Sequence, residues 1–274
     1  MKKLLETRLL IDLQGRSGAF NMAADSKLAE QLPQSDYGAA VRFYRWERPS
    51  VSIGCHQLQD AVDLKACRKL GWDVVYRPTG GRALLHDNDL SYAVVIPSES
   101  DSYALFRRLY ERIGEAIAEA LRMINFDAAV IKPTISYVRS ERRMRAGLCL
   151  DSRVRGEVTV SGKKVAAAAQ HIFRDTLLQH GSIMMEGDPA AIARVSNLTD
   201  SERMVLTDRL HARAGTLNEM NGGTVDVEAL VELLQTNFAR YLGLHINPDV
   251  WTDNEIDDII GRSPDFEICN TQPA

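Results

Sequence analysis

Paired cysteines are missing from this sequence. Its 274 residues include four cysteines, Cys55, Cys67, Cys149 and Cys269, and no two form a Cys-x-x-Cys unit. His56, His86, His171 and His180 never fall into a His-x-x-x-His pattern, and Cys55–His56 is only a sequential pair, so no metal site is expected. No apolar run is long enough to span a bilayer, and Met1-Lys2-Lys3-Leu4-Leu5-Glu6 meets charge too early for a secretory leader. A cytoplasmic protein with reduced thiols, away from any membrane, is the expectation. The formal net charge of −4 argues against a general nucleic-acid binder. A serine hydrolase is unsupported, because there is no Gly-x-Ser-x-Gly elbow. Gly80-Gly81 is followed by no Gly-Lys-Ser/Thr, so it is no Walker loop, and it lacks Gly-x-Gly-x-x-Gly spacing. No internal repeat and no low-complexity stretch is present.

What remains is an ordinary globular composition, 45% hydrophobic and 26% charged, which can build a sizeable core without staples. The apolar periodicities predict strands over 9–13, 41–46, 50–54, 72–76, 83–86, 90–96, 128–131, 157–160, 164–170 and 176–185, the last broken at His180-Gly181-Ser182. Helices are predicted over 20–32, with Asn21 near its start, over 58–70, closed by Gly71, and over 103–124. Four consecutive alanines, Ala166 to Ala169, favour helix by propensity. They are read as a strand because small side chains there let a substrate lie against backbone. Short helices over 190–195, 201–206 and 227–242 follow. The fold class expected is α/β (α+β): a mixed, largely antiparallel sheet flanked by helices, with a small helical C-terminal region. Residues 1–187 form the main domain, 188–262 a helical appendage packed on it, and 263–274 a loose tail.

Two segments carry chemistry. Arg77-Pro78-Thr79-Gly80-Gly81-Arg82 is a glycine loop flanked by cations, whose amides could hold a carbonyl or phosphate oxygen. The second holds Cys149 and, fifteen residues on, Lys164. A free thiol is mostly protonated at neutral pH, and a nearby ammonium favours the nucleophilic thiolate. Burial as a small hydrophobe is the commoner fate of a lone cysteine. Tyr137 to Arg145 holds Arg139, Arg142, Arg143 and Arg145 just before Cys149. It reads either as a solvated loop or as a basic collar that steers an acidic carrier.

The order of Asn21-Met22-Ala23-Ala24-Asp25, Pro49 to Gly54, Arg77 to Asp87, Gly147 to Ser152, Gly162 to Ala166 and Gln179 to Ser182 resembles the octanoyltransferases of lipoate assembly. These belong with the lipoate–protein ligases and biotin–protein ligases. The resemblance implies a main and a smaller sheet with the active site in a cleft between them. It implies that Cys149 carries the acyl group as a thioester and that Lys164 lies beside the thiol and acyl carbonyl. It implies a substrate site on Arg77, Thr79, Gly80, Gly81, Arg82, His86, Gly162, Val165, Ala166, Ala167, Ala168, His180 and Gly181. An apolar tunnel would be lined by the Asn21 helix and the Val165 to Ala168 strand, and His86 would shape the pocket. Ala167 stands where the family usually has glycine. Octanoyl-acyl carrier protein is the implied donor. The acceptor is a lipoyl-domain protein, either glycine-cleavage H protein or a 2-oxoacid dehydrogenase E2. No cofactor is implied. An ATP-dependent lipoate–protein ligase, which would need ATP and Mg, is the first alternative. Arg82 in place of a third glycine, together with a thiol at 149, speaks against it. A lipoyl-domain amidotransferase and a catalytically silent acyl- or lipoyl-binding protein are the others.

Overall fold

The computed structural model describes residues 4–57, 62–98, 103–131 and 156–268. In chain order these give β1 (Leu5–Arg16), α1 (Gly18–Gln31), β2 (Ala39–Trp46), β3 (Ser50–Gly54), α2 (Leu64–Lys69), β4 (Asp73–Arg77), β5 (Leu84–His86), β6 (Leu90–Pro97), α3 (Tyr103–Met123) and β7 (Ala128–Val130). After the third gap come β8 (Val158–Val160), β9 (Lys163–Lys164), β10 (Ala166–Phe173), β11 (Thr176–Ile183), α4 (Asp200–Arg213), α5 (Leu217–Asn221), α6 (Val227–Leu242), β12 (Leu244–Asp249) and α7 (Asp253–Arg262). No helix of the described residues is long and apolar enough to cross a membrane.

The main sheet has the order β10-β11-β6-β2-β1-β12. From β10 to β2 the pairings are antiparallel, and β2, β1 and β12 are parallel. A second sheet, β4-β3-β5, pairs β3 parallel to β4 and antiparallel to β5. A third, β7-β8-β9, is antiparallel. The expected mixed architecture is therefore present.

Side-chain alternation along β2 decides what covers each face. Val41 and Phe43 join a core with Tyr92, Ile113, Ile117, Leu121 and Phe238, under α3 and α6. Ala40 and Tyr44 point the other way, with Leu10, Leu28 and Val95 under α1. Every residue of α1 from Gly18 to Ala29 is buried, so this helix lies inside the molecule, with polar groups that need internal partners. Its N-cap is Ser17, whose hydroxyl accepts from the Phe20 N–H, and Asn21 lies in its first turn.

Several sequence expectations are corrected. β11 runs unbroken through His180-Gly181-Ser182; glycine is required there because a Cβ would stand 2.5 Å from the Ala167 carbonyl oxygen and 2.6 Å from the Tyr92 hydroxyl. Helix α2 begins at Leu64 under the Asp63 cap, and 191–195 is a 3-10 helix. The region after 188 is not purely helical: β12 pairs with β1 and extends the main sheet. Residues 263–268 are also packed, Ile268 donating its N–H to the Val74 carbonyl at 3.1 Å and Phe266 packing near Phe20. The alanine run is a strand as expected, because β11 and its ladder override helix propensity.

Candidate active site

A cleft of about 420 Å³, counted with the open space at its mouth, lies between the main sheet and the β4-β3-β5 sheet. The β4-β3-β5 sheet and its glycine loop contribute Ser52, Arg77, Gly81, Leu84 and His86, and Met22 comes from α1. The main sheet contributes Tyr44 and Trp46 of β2, Ser91 of β6, Ala167, Ala168 and Ala169 of β10, and His180 and Gly181 of β11.

The glycine loop is shaped by its neighbours. A Cβ on Gly54 would stand 2.3 Å from the Gly81 carbonyl oxygen, so β3 abuts the loop backbone directly. Gly81 has φ +93°, which favours glycine. The buried Arg77 side chain binds the loop from inside. Its Nε and Nη2 donate to the Gly80 carbonyl at 3.1 and 2.9 Å, Nη2 to the Arg82 carbonyl at 2.7 Å, and Nη1 to the Ser52 carbonyl at 2.9 Å. Arg77 thus fixes the loop's carbonyls, a role that sequence reading did not give it.

Two hydroxyl–imidazole–carboxylate chains back the cleft. His86 Nδ1 lies 2.7 Å from Asp89 Oδ2, and its Nε2 lies 2.9 Å from Ser52 Oγ. Arg77 Nη1 donates to that same Oγ at 3.1 Å. Trp46 stacks on the imidazole at 3.9 Å, 13° from parallel, and fixes its plane. In the second chain, Thr79 Oγ1 is 2.6 Å from His180 Nε2, and His180 Nδ1 is 2.9 Å from Asp25 Oδ2. Burial, opposed by the bond to Asp25, holds the His180 pKa below its ordinary value and keeps the ring neutral.

Asp25 is the hub behind the cleft. It is fully buried and also accepts from Tyr44 Oη at 2.9 Å and Arg42 Nη1 at 3.1 Å. The buried Arg42 reaches Asn21 Oδ1 at 2.6 Å and Asp12 Oδ2 at 3.3 Å. Burial, then the Asp25 charge, pushes the Tyr44 phenol well above its ordinary value. The helix motif Asn21 to Asp25 therefore anchors a buried cation, and Met22 between them reaches the cleft.

Seven predicted site residues line the cleft: Arg77, Gly81, His86, Ala167, Ala168, His180 and Gly181. Thr79, Gly80 and Arg82 stand in its loop. Val165 and Ala166 belong instead to the core under α3. Gly162, with φ +81°, sits at the exposed tip of the β8–β9 hairpin beside Ser161 at φ +47°. Lys164 is fully buried, its Nζ 2.6 Å from Glu157 Oε1, and is not among the cleft-lining residues. Cys149 and the basic stretch 137–145 lie outside the described residues. Among the described residues no group of three or more His, Cys, Asp or Glu could hold a metal ion. Ser52, Trp46, Tyr44, Asp25 and Asp89 were not expected as site residues. The strand alternation that puts Tyr44 and Trp46 on one face is the signal that could have found two of them.

A family model for the lipoyl protein ligase A/B catalytic domain matches residues 17–239. The octanoyltransferase LipM of Kyrpidia tusciae is 34% identical over 257 residues, covering 92% of this chain and 93% of its own. That of Bacillus subtilis is 30% identical over 257 residues, covering 92% of each. Among solved structures, a bi-partite lipoate protein ligase from Thermoplasma acidophilum superposes with a TM-score of 0.74 at 23% identity, over 95% of this chain and 92% of that one. A lipoate-protein ligase A bound with ATP gives 0.73 at 22% identity, over 94% of each. At those identities the two structures speak to the fold alone.

Proposed function

The chain belongs to the lipoyl protein ligase A/B catalytic-domain family, and on that premise we propose that it is an octanoyltransferase of lipoate assembly. The reading is carried by full-length similarity to octanoyltransferases LipM, together with a cleft whose alanine wall suits a bare hydrocarbon chain. Burying the chain supplies about 0.8 kcal/mol per methylene, or roughly 5 kcal/mol for the methylenes of an octanoyl chain.

In this reading the donor is octanoyl-acyl carrier protein and the reaction runs in the cytoplasm, where unpaired thiols stay reduced. Cys149 attacks the octanoyl thioester, a new S–C bond forms, and the carrier's thiol leaves. Backbone amides near Gly80-Gly81 or on the Lys164 strand hold the oxyanion. The lysine of a lipoyl-domain protein, H protein or E2, then attacks the acyl-enzyme and leaves as an amide. Ala167, Ala168 and Met22 hold the chain, and Trp46 and His86 close its far end. The engagement of Arg77 with loop carbonyls favours this over an ATP-dependent ligase, which would need cations open to a triphosphate.

Intact mass after mixing with octanoyl carrier protein tests the proposal. The expected result is a gain of one octanoyl group, labile to hydroxylamine and absent in Cys149→Ala. No gain, with ATP-dependent labelling of a lipoyl domain, would replace it with the ligase.

A further inference from the structure

The mechanism above leaves open whether Lys164 serves as a base or as a charge, and a neighbour outside every motif bears on that. Glu157, 4% exposed, places Oε1 2.6 Å from Lys164 Nζ, which is itself sealed from solvent. The backbone around Glu157 is fixed on both sides. Its carbonyl accepts from the Ile131 N–H at 2.8 Å, and the next residue's carbonyl accepts from the Val165 N–H at 3.0 Å. Gly156, at φ +89°, presses on α3: a Cβ there would stand 2.4 Å from Tyr110 Cδ1. A Cβ on Gly114 would stand 2.2 Å from the Gly156 carbonyl oxygen. The carboxylate has little room to withdraw. Titratable groups on the elements packed against β8 and β9 include Glu111 and Glu115 on α3, His211 and Arg213 on α4, and Glu219 on α5, engaged by Lys163 at 3.6 Å, while Tyr92 and Tyr110 line the same small cavity as Glu157.

A buried lysine without a counter-ion tends to lose its proton, and a carboxylate at hydrogen-bonding distance retains it. We propose that Glu157 is a positioning residue that holds Lys164 as an ammonium, so that Lys164 acts as a fixed charge and hydrogen-bond donor and not as a base. The inference rests on the acyl-transfer reading. In that step the Cys149 thiol gives its proton to water. The thiolate forms the S–C bond, and the electron pair moves to the carbonyl oxygen. Collapse expels the carrier's thiolate, which takes a proton from water. Lys164 keeps its three protons throughout.

The test is the pH dependence of single-turnover octanoyl transfer from octanoyl-acyl carrier protein to Cys149, read by intact mass. Glu157→Gln removes the negative neighbour, so the alkaline limb of the profile is expected to move about one to three pH units toward acid. Glu157→Asp is expected to restore most of that shift. Lys164→Arg carries a cation that does not titrate, so it is expected to keep acylation within about tenfold of wild type and to lose the alkaline limb. It also decides the matter if Glu157→Gln fails to fold. An unmoved limb or faster acylation at neutral pH in Glu157→Gln overturns the inference, as does a folded Lys164→Arg as inactive as Lys164→Ala. A wild type that forms no thioester overturns the acyl-transfer reading and this inference with it. An acylated wild type whose profile coincides with that of Glu157→Gln overturns the inference alone.

Discussion

Replacing Asp25 by Asn is the sharpest probe of the frame behind the cleft. The carboxylate is fully buried and accepts from Arg42 at 3.1 Å, Tyr44 at 2.9 Å and His180 at 2.9 Å. Asn keeps the shape but removes the charge that balances a guanidinium with no exposure of its own. Breaking one partner of a buried ion pair costs about 3–5 kcal/mol. Asp12 at 3.3 Å and Asn21 at 2.6 Å still engage Arg42, so the lower end applies. At roughly 2 °C per kcal/mol for a chain of this size, about 3 kcal/mol lowers Tm by about 6 °C. Calorimetry measures it. Because the two groups share one network, Asp25→Asn combined with Arg42→Met is expected to cost at least about 1 kcal/mol less than the two single changes together. A Tm within about 2 °C of wild type, or simple additivity, would refute the claim that Asp25 is held there to balance Arg42.

Gly54→Ala should act on activity more than on stability: its Cβ meets the Gly81 carbonyl oxygen at 2.3 Å, so the loop must move, and a displacement of that size can cost about a hundredfold in kcat. Steady-state turnover beside Tm checks this, and equal losses in both would contradict it. The α7 segment is latched by ion pairs, and the Arg8 bond, together with its Thr252 cap, holds Glu255 down at about 2. Because that folded pKa lies below the unfolded one, the stabilisation is complete above pH 4.5 and is lost as pH falls toward 2. Hydrogen exchange in 253–262 should accelerate in wild type only near that acid limit, and already at neutral pH in Arg8→Gln.

Local pattern was enough for most elements. The β8–β9 hairpin is legible because Ser161-Gly162 supplies the two consecutive left-handed residues that a tight turn needs. β12 was not, since Leu244-His245-Ile246-Asn247-Pro248-Asp249 alternates weakly and contains a proline, which an edge strand beside β1 tolerates. Gly181 read as a strand break because sequence shows the missing side chain and not the Ala167 carbonyl and Tyr92 hydroxyl that occupy its place. The site divides in the same way. Arg77, His86 and His180 were identifiable as residues, but their partners were not. Ser52 lies 34 positions from His86 and is brought to it by the β3–β5 pairing, while Thr79 lies 101 from His180 and meets it only where the two sheets pack.

That pairing limits what the cleft can select. The hydroxyls and imidazoles facing it are bonded to one another, the Trp46 indole N–H donates to Ser91 Oγ at 2.9 Å, and Arg77 is committed to the loop carbonyls. A hydrocarbon chain therefore meets no group that it would leave unpaired, which is the condition for burying it without penalty. Among the described residues, these side chains spend their donors and acceptors on one another and on backbone, which leaves them little with which to demand a particular tail. Such a site separates chains differing by one methylene by about 1–3 kcal/mol, and rejects an added hydroxyl by only about a hundredfold. Sharper discrimination between octanoyl and other acyl groups must then come from outside the cleft, where the carrier and the lipoyl domain dock. The acyl slot supplies affinity for hydrocarbon, and the protein partners decide which hydrocarbon arrives.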